Sequence, residues 1–344
     1  MADVQWERYP AIAGATRARD WLTIQAQLGL ARNTVDAYGR ALQDYLAFSR
    51  QRGVDPENAR REHVAAYVHD LTIRPHPSTG ARRRIGLANA TVQQRLTVVR
   101  LYYDHLIEEG VRPDTPIGRG RYTAGTGFGG ARERGLLPRY RTLPWIPTDD
   151  QWLAVLTIAR DEALRNRVML ALAYDAGLRR EELCRLETGD VDPAQRLSRV
   201  RAETTKNRQE RLVPYSAASQ TLYALYLAER RALSRARGPL FLSQSRRNRA
   251  QPISIWTWSK VVERLATRAD VPQFTTHTCR HLCLTDLARA GWDVHEIATF
   301  AGHRSIQTTL RYIHLSGREL AAKLEQSMAG IHAWRIAQLQ EAWS

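Results

Sequence analysis

Six side chains in this 344-residue sequence have the types needed to break a phosphodiester without a metal ion: Arg179, Lys206, His277, Arg280, His303 and Tyr312. A phosphodiester is an anion and repels a nucleophile until its non-bridging oxygens are neutralised. Planar guanidinium forks match phosphate geometry and supply that neutralisation. Tyrosine is a recognised covalent nucleophile, and a phosphotyrosyl link would keep the energy of the cleaved bond, so that religation needs no ATP. Lysine can protonate a departing sugar oxygen, and histidine can act as a base or as a hydrogen-bond donor. Phosphoryl transfer asks mainly for positioning and charge stabilisation, which this set can provide.

The spacing supports the types. His277 and Arg280 stand three residues apart in THTCRH, so one helix would project both from the same face. Arg179 follows Gly177-Leu178, at the start of a new helix. Only Lys206, Lys260 and Lys323 are lysines among 51 basic residues, leaving 48 arginines. A lysine's pKa can be tuned where an arginine's cannot, so a lysine in such a chain asks for a chemical explanation. His277/His281 and Cys279/Cys283 alternate along one stretch and would face different sides of a helix. A tetrahedral metal site needs convergent ligands, so no metal and no other cofactor is expected.

The net charge of +16 and the pI near 10.4 imply a polyanionic partner, with nucleic acid the first candidate. Three cysteines, no apolar run long enough to span a membrane and no apolar signal core at the N-terminus lead us to expect a cytoplasmic, nucleoid-associated protein.

The elements that must hold these residues fall into five segments. Residues 1–15 are a lead-in. Residues 16–113 read as helices: TRARDWLTIQAQLGL; NTVDAYGRALQDYLAFSRQRG, capped by Asn33 or Thr34, with Val35, Tyr38, Leu42, Tyr45, Leu46 and Phe48 on its apolar side; REHVAAYVHDL; and a helix from Asn89 to a terminating Gly110. Residues 114–147 read as a Gly/Pro/Arg-rich linker. Residues 148–316 would begin with a helix N-terminus at Thr148 and continue through RNRVMLALAYDAG and REELCRLETGD. Two or three short strands would lie in RLSRVRAETTKNRQERLVPY, joined by a basic turn at Lys206 and Asn207, followed by helices over 217–237 and in ISIWTWSKVVERLATRAD. Residues 317–344 would be a helical tail with Leu320, Leu324, Met328, Ile331 and Trp334 in a stripe. Candidate DNA-contacting arginines are Arg82, Arg83 and Arg84 in a Pro/Gly-broken loop, Arg95, and Arg119 and Arg121 in the linker.

Taken together, AGLRREEL, TKNRQERLVP, HTCRH and AGHRSIQTTLRYIH resemble the four motif blocks of the tyrosine recombinase (phage integrase) family. The helical N-terminal region resembles that family's core-binding, SAM-like domain more weakly. The resemblance implies a mainly α fold: a helical core-binding domain plus a mostly helical catalytic domain with a small antiparallel sheet, forming a C-shaped DNA clamp. Carried over residue by residue, Arg179, Arg280 and His303 would stabilise the scissile phosphate. Lys206 would protonate the leaving 5′ oxygen, His277 would assist proton transfer from the nucleophile, and Tyr312 would form a 3′-phosphotyrosyl bond. Glu182 would support Arg179, and His281 would pack.

The resemblance also implies a double-stranded core recombination site as partner, a tetramer in the synaptic complex, accessory proteins, and a C-terminal segment that docks on a neighbouring protomer. The short lead-in leaves no room for the separate arm-binding domain of lambda-like integrases. The expected function is a site-specific recombinase of integrase or transposase type. A Xer-like dimer resolvase, a type IB topoisomerase-like enzyme and a non-catalytic DNA-binding protein are the alternatives.

Overall fold

The computed structural model describes residues 4–75, 85–117, 144–205 and 207–310, with residues 137, 312, 324–326, 330, 333 and 335. Lys206, Arg82, Arg83, Arg84, Arg119 and Arg121 lie outside the described residues, as do Leu320, Met328, Ile331 and Trp334 of the tail. The chain divides into two compact units, Met1–Arg141 and Thr142–Ser344.

The first unit contains α1 (Pro10–Ala13), α2 (Thr16–Gln27), α3 (Arg32–Gln51), α4 (Arg61–Ile73) and α5 (Asn89–Glu108). Their apolar periodicity becomes a core of Trp21, Leu22, Leu42, Tyr45, Tyr67, Leu96 and Tyr103. Buried phenols need partners, and they find them: the Tyr45 and Tyr103 hydroxyls meet at 2.6 Å, and Tyr67 donates to Asp44 at 2.7 Å. Val35, Leu42, Tyr45, Leu46 and Phe48 are buried on α3 as its period requires, while half-buried Tyr38 stacks on Trp21.

The expected cap is misplaced by two or three residues. The helix starts at Arg32, and Ala31, with φ −58 and ψ 139 and no side-chain cap, occupies the cap position. Asn33 and Thr34 are already inside the first turn, where Thr34 N–H bonds the Ala31 carbonyl at 2.7 Å. Gly110 does close α5, with φ +69. Arg95 is salt-bridged to Asp44, which also holds Arg74, so its charge is engaged within this unit.

The second unit runs α6 (Asp149–Ala159), α7 (Leu164–Asp175), α8 (Arg180–Cys184), β1 (Val191–Asp192), β2 (Leu197–Val200), β3 (Arg211–Pro214), α9 (Ala217–Leu233), α10 (Ile255–Arg268), α11 (Thr278–Arg289), α12 (Val294–Ala301) and α13 (Ile306–Thr309). Thr148 caps α6 as expected, accepting from Gln151 N–H at 3.3 Å. Buried α7 is the spine: α8, α9 and α11 pack on it, and its Val168, Met169, Leu170 and Leu172 enter a continuous core with Trp258, Leu265, Cys279 and Leu284.

The three strands form one antiparallel sheet in the order β1-β2-β3, with Ser198 opposite Val213. The first strand, only two residues long, lies upstream of the strand region anticipated from sequence. Helix α9 stops at Leu233 rather than running to 237. There the buried Arg230 guanidinium donates to the carbonyls of Ser234, Ala236, Pro239 and Leu240, folding the chain back on itself. No described helix is long and apolar enough to cross a membrane.

Candidate active site

Arg179 is the N-cap residue of α8, reached through the turn at Gly177, whose φ of +53 suits glycine. That turn aims the Gly177 carbonyl at Arg280, which donates to it from Nη1 at 2.5 Å. Glu182, three residues into α8, accepts from the Arg179 backbone N–H at 2.9 Å and from its Nη1 at 2.7 Å. The expected support of Arg179 by Glu182 is therefore a direct contact.

A residue that sequence reasoning missed completes the frame. Arg211, at the start of β3, grips the same carboxylate through Nη1 at 3.1 Å and Nη2 at 2.7 Å, while its Nε donates to the Phe300 carbonyl at 3.1 Å. Burial pushes the Glu182 carboxyl up, but the hydrogen bonds and charges of Arg211 and Arg179 outweigh it and hold the pKa at about 2. A signal for Arg211 was available in the strand: it lies two residues before buried Val213 and therefore on the same face.

Gly302 ends α12 in the left-handed region, φ +63, and a Cβ there would lie 2.9 Å from Arg211 Cδ. Its carbonyl accepts from Arg179 Nη2 at 3.3 Å and from Asn207 Nδ2 at 3.1 Å. One glycine thus ties α8 and the β2–β3 connection to the segment that carries His303. Asn207 is the immediate neighbour of Lys206 in that connection.

Arg280, on α11, is 3% exposed. Besides Gly177 it reaches the Ala301 carbonyl at 2.5 Å and His303 Nε2 at 3.0 Å, both from Nη2. Burial and then the Arg179 charge lower its pKa to about 10, which leaves it cationic at neutral pH. A guanidinium has no acceptor, so His303 Nε2 must accept. The ring proton then sits on Nδ1, 2.9 Å from Thr309 Oγ1. Burial, followed by Arg280, Arg179 and Arg211, lowers the His303 pKa to about 3.

Tyr312 is 8% exposed, and its ring stacks on His303 with centroids 5.7 Å apart and planes 12° from parallel. Its hydroxyl lies 3.0 Å from His281 Nδ1. That contact gives His281 a polar role at the tyrosine, beyond the packing role expected of it. His277 is the N-cap residue of α11 and is solvent-accessible. The surrounding protein and the charges of Arg180, Arg280 and Arg179 nonetheless lower its pKa.

The structure thus brings together Arg179, Glu182, His277, Arg280, His281, His303 and Tyr312, and adds Arg211. Arg179 and Arg211 share the Glu182 carboxylate, and Arg280 lies near enough to feel the charges of all three. This local excess of positive charge suits an anion with several oxygens.

Comparison with known proteins identifies the family. The Phage integrase family model matches residues 147–319, and the family's N-terminal SAM-like domain matches residues 20–110. The chain is similar to tyrosine recombinase XerD of Caulobacter vibrioides, 33% identical over 85% of this chain and 88% of that protein. It is also similar to XerC of Thermodesulfovibrio yellowstonii, 27% identical over 88% of this chain and 93% of that protein. Among solved structures, the Tn1549 transposon integrase in complex with a circular-intermediate DNA shares the fold, with a TM-score of 0.67 at 16% identity over 89% of this chain and 98% of that one. The SAM-like and catalytic matches fall in the two units in the same order, and by that correspondence the chain belongs to the phage integrase family, the tyrosine recombinases.

Proposed function

We propose that this site-specific DNA recombinase cleaves and rejoins strands through a 3′-phosphotyrosyl bond on Tyr312, with no metal ion and no ATP. The observation that carries the reading is the convergence of Arg179, Arg280, His303 and Tyr312, drawn from separate stretches of the chain. Arg179 and Arg280 neutralise the scissile phosphate; each is oriented by hydrogen bonds that use part of its guanidinium and leave further N–H groups for phosphate oxygens.

His303 joins them in a second step. A bound phosphate draws Arg280 Nη2 toward itself, and its negative charge opposes the lowering that Arg280, Arg179 and Arg211 impose on the imidazole. Nε2 can then take a proton and donate to a phosphate oxygen. Lys206, one residue from Asn207, protonates the leaving 5′ oxygen, and His277 stands at the accessible mouth of the site as a proton carrier.

DNA is the partner, and the charge of +16 gives binding its electrostatic part. Both units bind the core site, and four copies form the synapse. Arg82, Arg83, Arg84, Arg119 and Arg121 contact the DNA backbone. The likeness to a transposon integrase supports movement of a mobile element, whereas the near full-length similarity to XerC and XerD proteins favours a second reading, resolution of replicon dimers.

Plasmids carrying two copies of a core site taken from the gene's flanks separate these readings. A mobile-element recombinase should join sites on different molecules. A dimer resolvase should excise between direct repeats on one molecule. Relaxation of supercoils without exchange of partners would point instead to topoisomerase action.

A further inference from the structure

We infer that His281 accepts the phenolic proton of Tyr312 during strand cleavage, an inference that rests on the reading of Tyr312 as nucleophile. Two imidazoles pack against the Tyr312 ring: His303 stacks on it, and His281 is tilted by 35° with centroids 5.3 Å apart. Both ring nitrogens of His303 are engaged elsewhere, Nε2 by Arg280 and Nδ1 by Thr309. Among the described residues, His281 is the imidazole that places a nitrogen on the reacting oxygen, at 3.0 Å. It reaches that position because it follows Arg280 on α11. A step of one residue turns a side chain by roughly 100° around a helix, so Arg280 faces Gly177 and Ala301 while His281 faces the tyrosine.

Among the described residues, the titratable and charged groups around His281 are His277 and Arg280 on its own helix and Tyr312 across from it, with His303 also against the tyrosine ring. Burial, then His277 and Arg280, lower its pKa to about 4, so at neutral pH the ring is uncharged and able to accept. A phosphodiester bound at Arg280 offsets the cationic part of that lowering and returns the imidazole toward its ordinary range, where a base works best at neutral pH. The step balances. The Tyr312 O–H bond breaks and its proton passes to His281 Nδ1, the Oη–phosphorus bond forms, the phosphorus–O5′ bond breaks, and the 5′ oxygen takes its proton from the acid on the other side. Religation runs the same steps backwards.

The test is single-turnover cleavage by full-length wild type and His281→Asn, on core-site DNA with an ordinary 5′-oxygen leaving group and with a bridging 5′-sulfur. Asparagine can still accept a hydrogen bond near the Nδ1 position but cannot carry a proton away. We expect unchanged DNA affinity, a fall in cleavage rate of about 10²-fold, disappearance of the acid limb of the pH–rate profile, and no rescue by the sulfur leaving group, which needs no acid.

Cleavage within about threefold of wild type, rescue by sulfur, or a slower rate with the acid limb intact would each overturn the inference. Should His281→Asn fail to fold, long-range proton–nitrogen spectra of imidazole-labelled wild type and Tyr312→Phe decide. An unprotonated His281 Nδ1 that shifts when the phenol oxygen is removed supports the contact, and a protonated or unmoved Nδ1 contradicts it. A wild type that forms no covalent adduct overturns the nucleophile reading and this inference with it. Wild-type cleavage with an indifferent His281→Asn overturns this inference alone.

Discussion

Arg211 grips Glu182 with two hydrogen bonds, of 3.1 and 2.7 Å. The carboxylate is 1% exposed and also holds Arg179. A buried ion pair broken on one side leaves an uncompensated charge, at a cost of about 3–5 kcal/mol. Glu182→Ala is therefore expected to lower unfolding stability by about 3 kcal/mol or more and to weaken cleavage beyond its effect on folding. Urea midpoints, with cleavage assayed well below them, check this. An unchanged midpoint would remove the frame from the account.

Gly302 separates backbone strain from displacement of Arg211. Gly302→Ala places a methyl 2.9 Å from Arg211 Cδ at φ +63, whereas Gly53→Ala, at φ +65, meets nothing within 4 Å. Both variants carry the left-handed penalty of about 1–2 kcal/mol. Only the first should slow cleavage, by about tenfold or more, the equivalent of about 1.4 kcal/mol or more in the barrier. Equal cleavage by both variants would contradict the link from Gly302 to the site.

Thr309 Oγ1, 2.9 Å away, accepts the proton that Arg280 leaves on His303 Nδ1. Thr309→Val keeps the shape and removes the partner. Cleavage should fall about tenfold, the scale of one lost neutral hydrogen bond of roughly 1–1.5 kcal/mol, with a changed pH dependence and near-normal DNA affinity. A gel-based cleavage assay across pH reads this, and an unchanged profile would contradict the tautomer assignment.

The same histidines set an acid limit on stability. His281 and His303 have folded pKa values of about 4 and about 3, below the ordinary 6.5. The unfolded chain therefore binds more protons than the folded one between pH 6.5 and those values. Their stability contribution is complete above pH 6.5 and declines as pH falls, by up to about 1.4 kcal/mol per pH unit for each histidine. Glu182, depressed to about 2, adds a further loss below its ordinary 4.5. Denaturant titrations should show a shallower slope between pH 6.5 and 4.5 in a His281→Asn/His303→Asn double variant than in wild type. Equal slopes would contradict this prediction.

Much of this was legible in the sequence because it depends on local pattern. The apolar period of α3 and α5, the glycine after each helix and the Thr148 cap are short-range signals, and Arg179 and Arg280 stood in distinctive strings. What escaped depends on where distant segments meet. Arg211 is one of 48 arginines, and only the pairing of β3 with β2 turns it toward Glu182. His281 adjoins a functional arginine yet points another way, and its contact exists because the chain returns after α12 to bring in Tyr312. The α3 cap was misplaced because Asn33 and Thr34 are good capping types, while the helix begins two or three residues earlier, with Ala31 at the cap position.

Incubation of core-site DNA with wild type and Tyr312→Phe, without metal or ATP, followed by denaturation in SDS, tests the central claim most directly. The account predicts a covalent protein–DNA adduct on the 3′ side of the break with wild type, and none with Tyr312→Phe despite equal DNA binding. An adduct that persists in Tyr312→Phe, or firm wild-type binding to a cleavable site with no adduct at all, would contradict it.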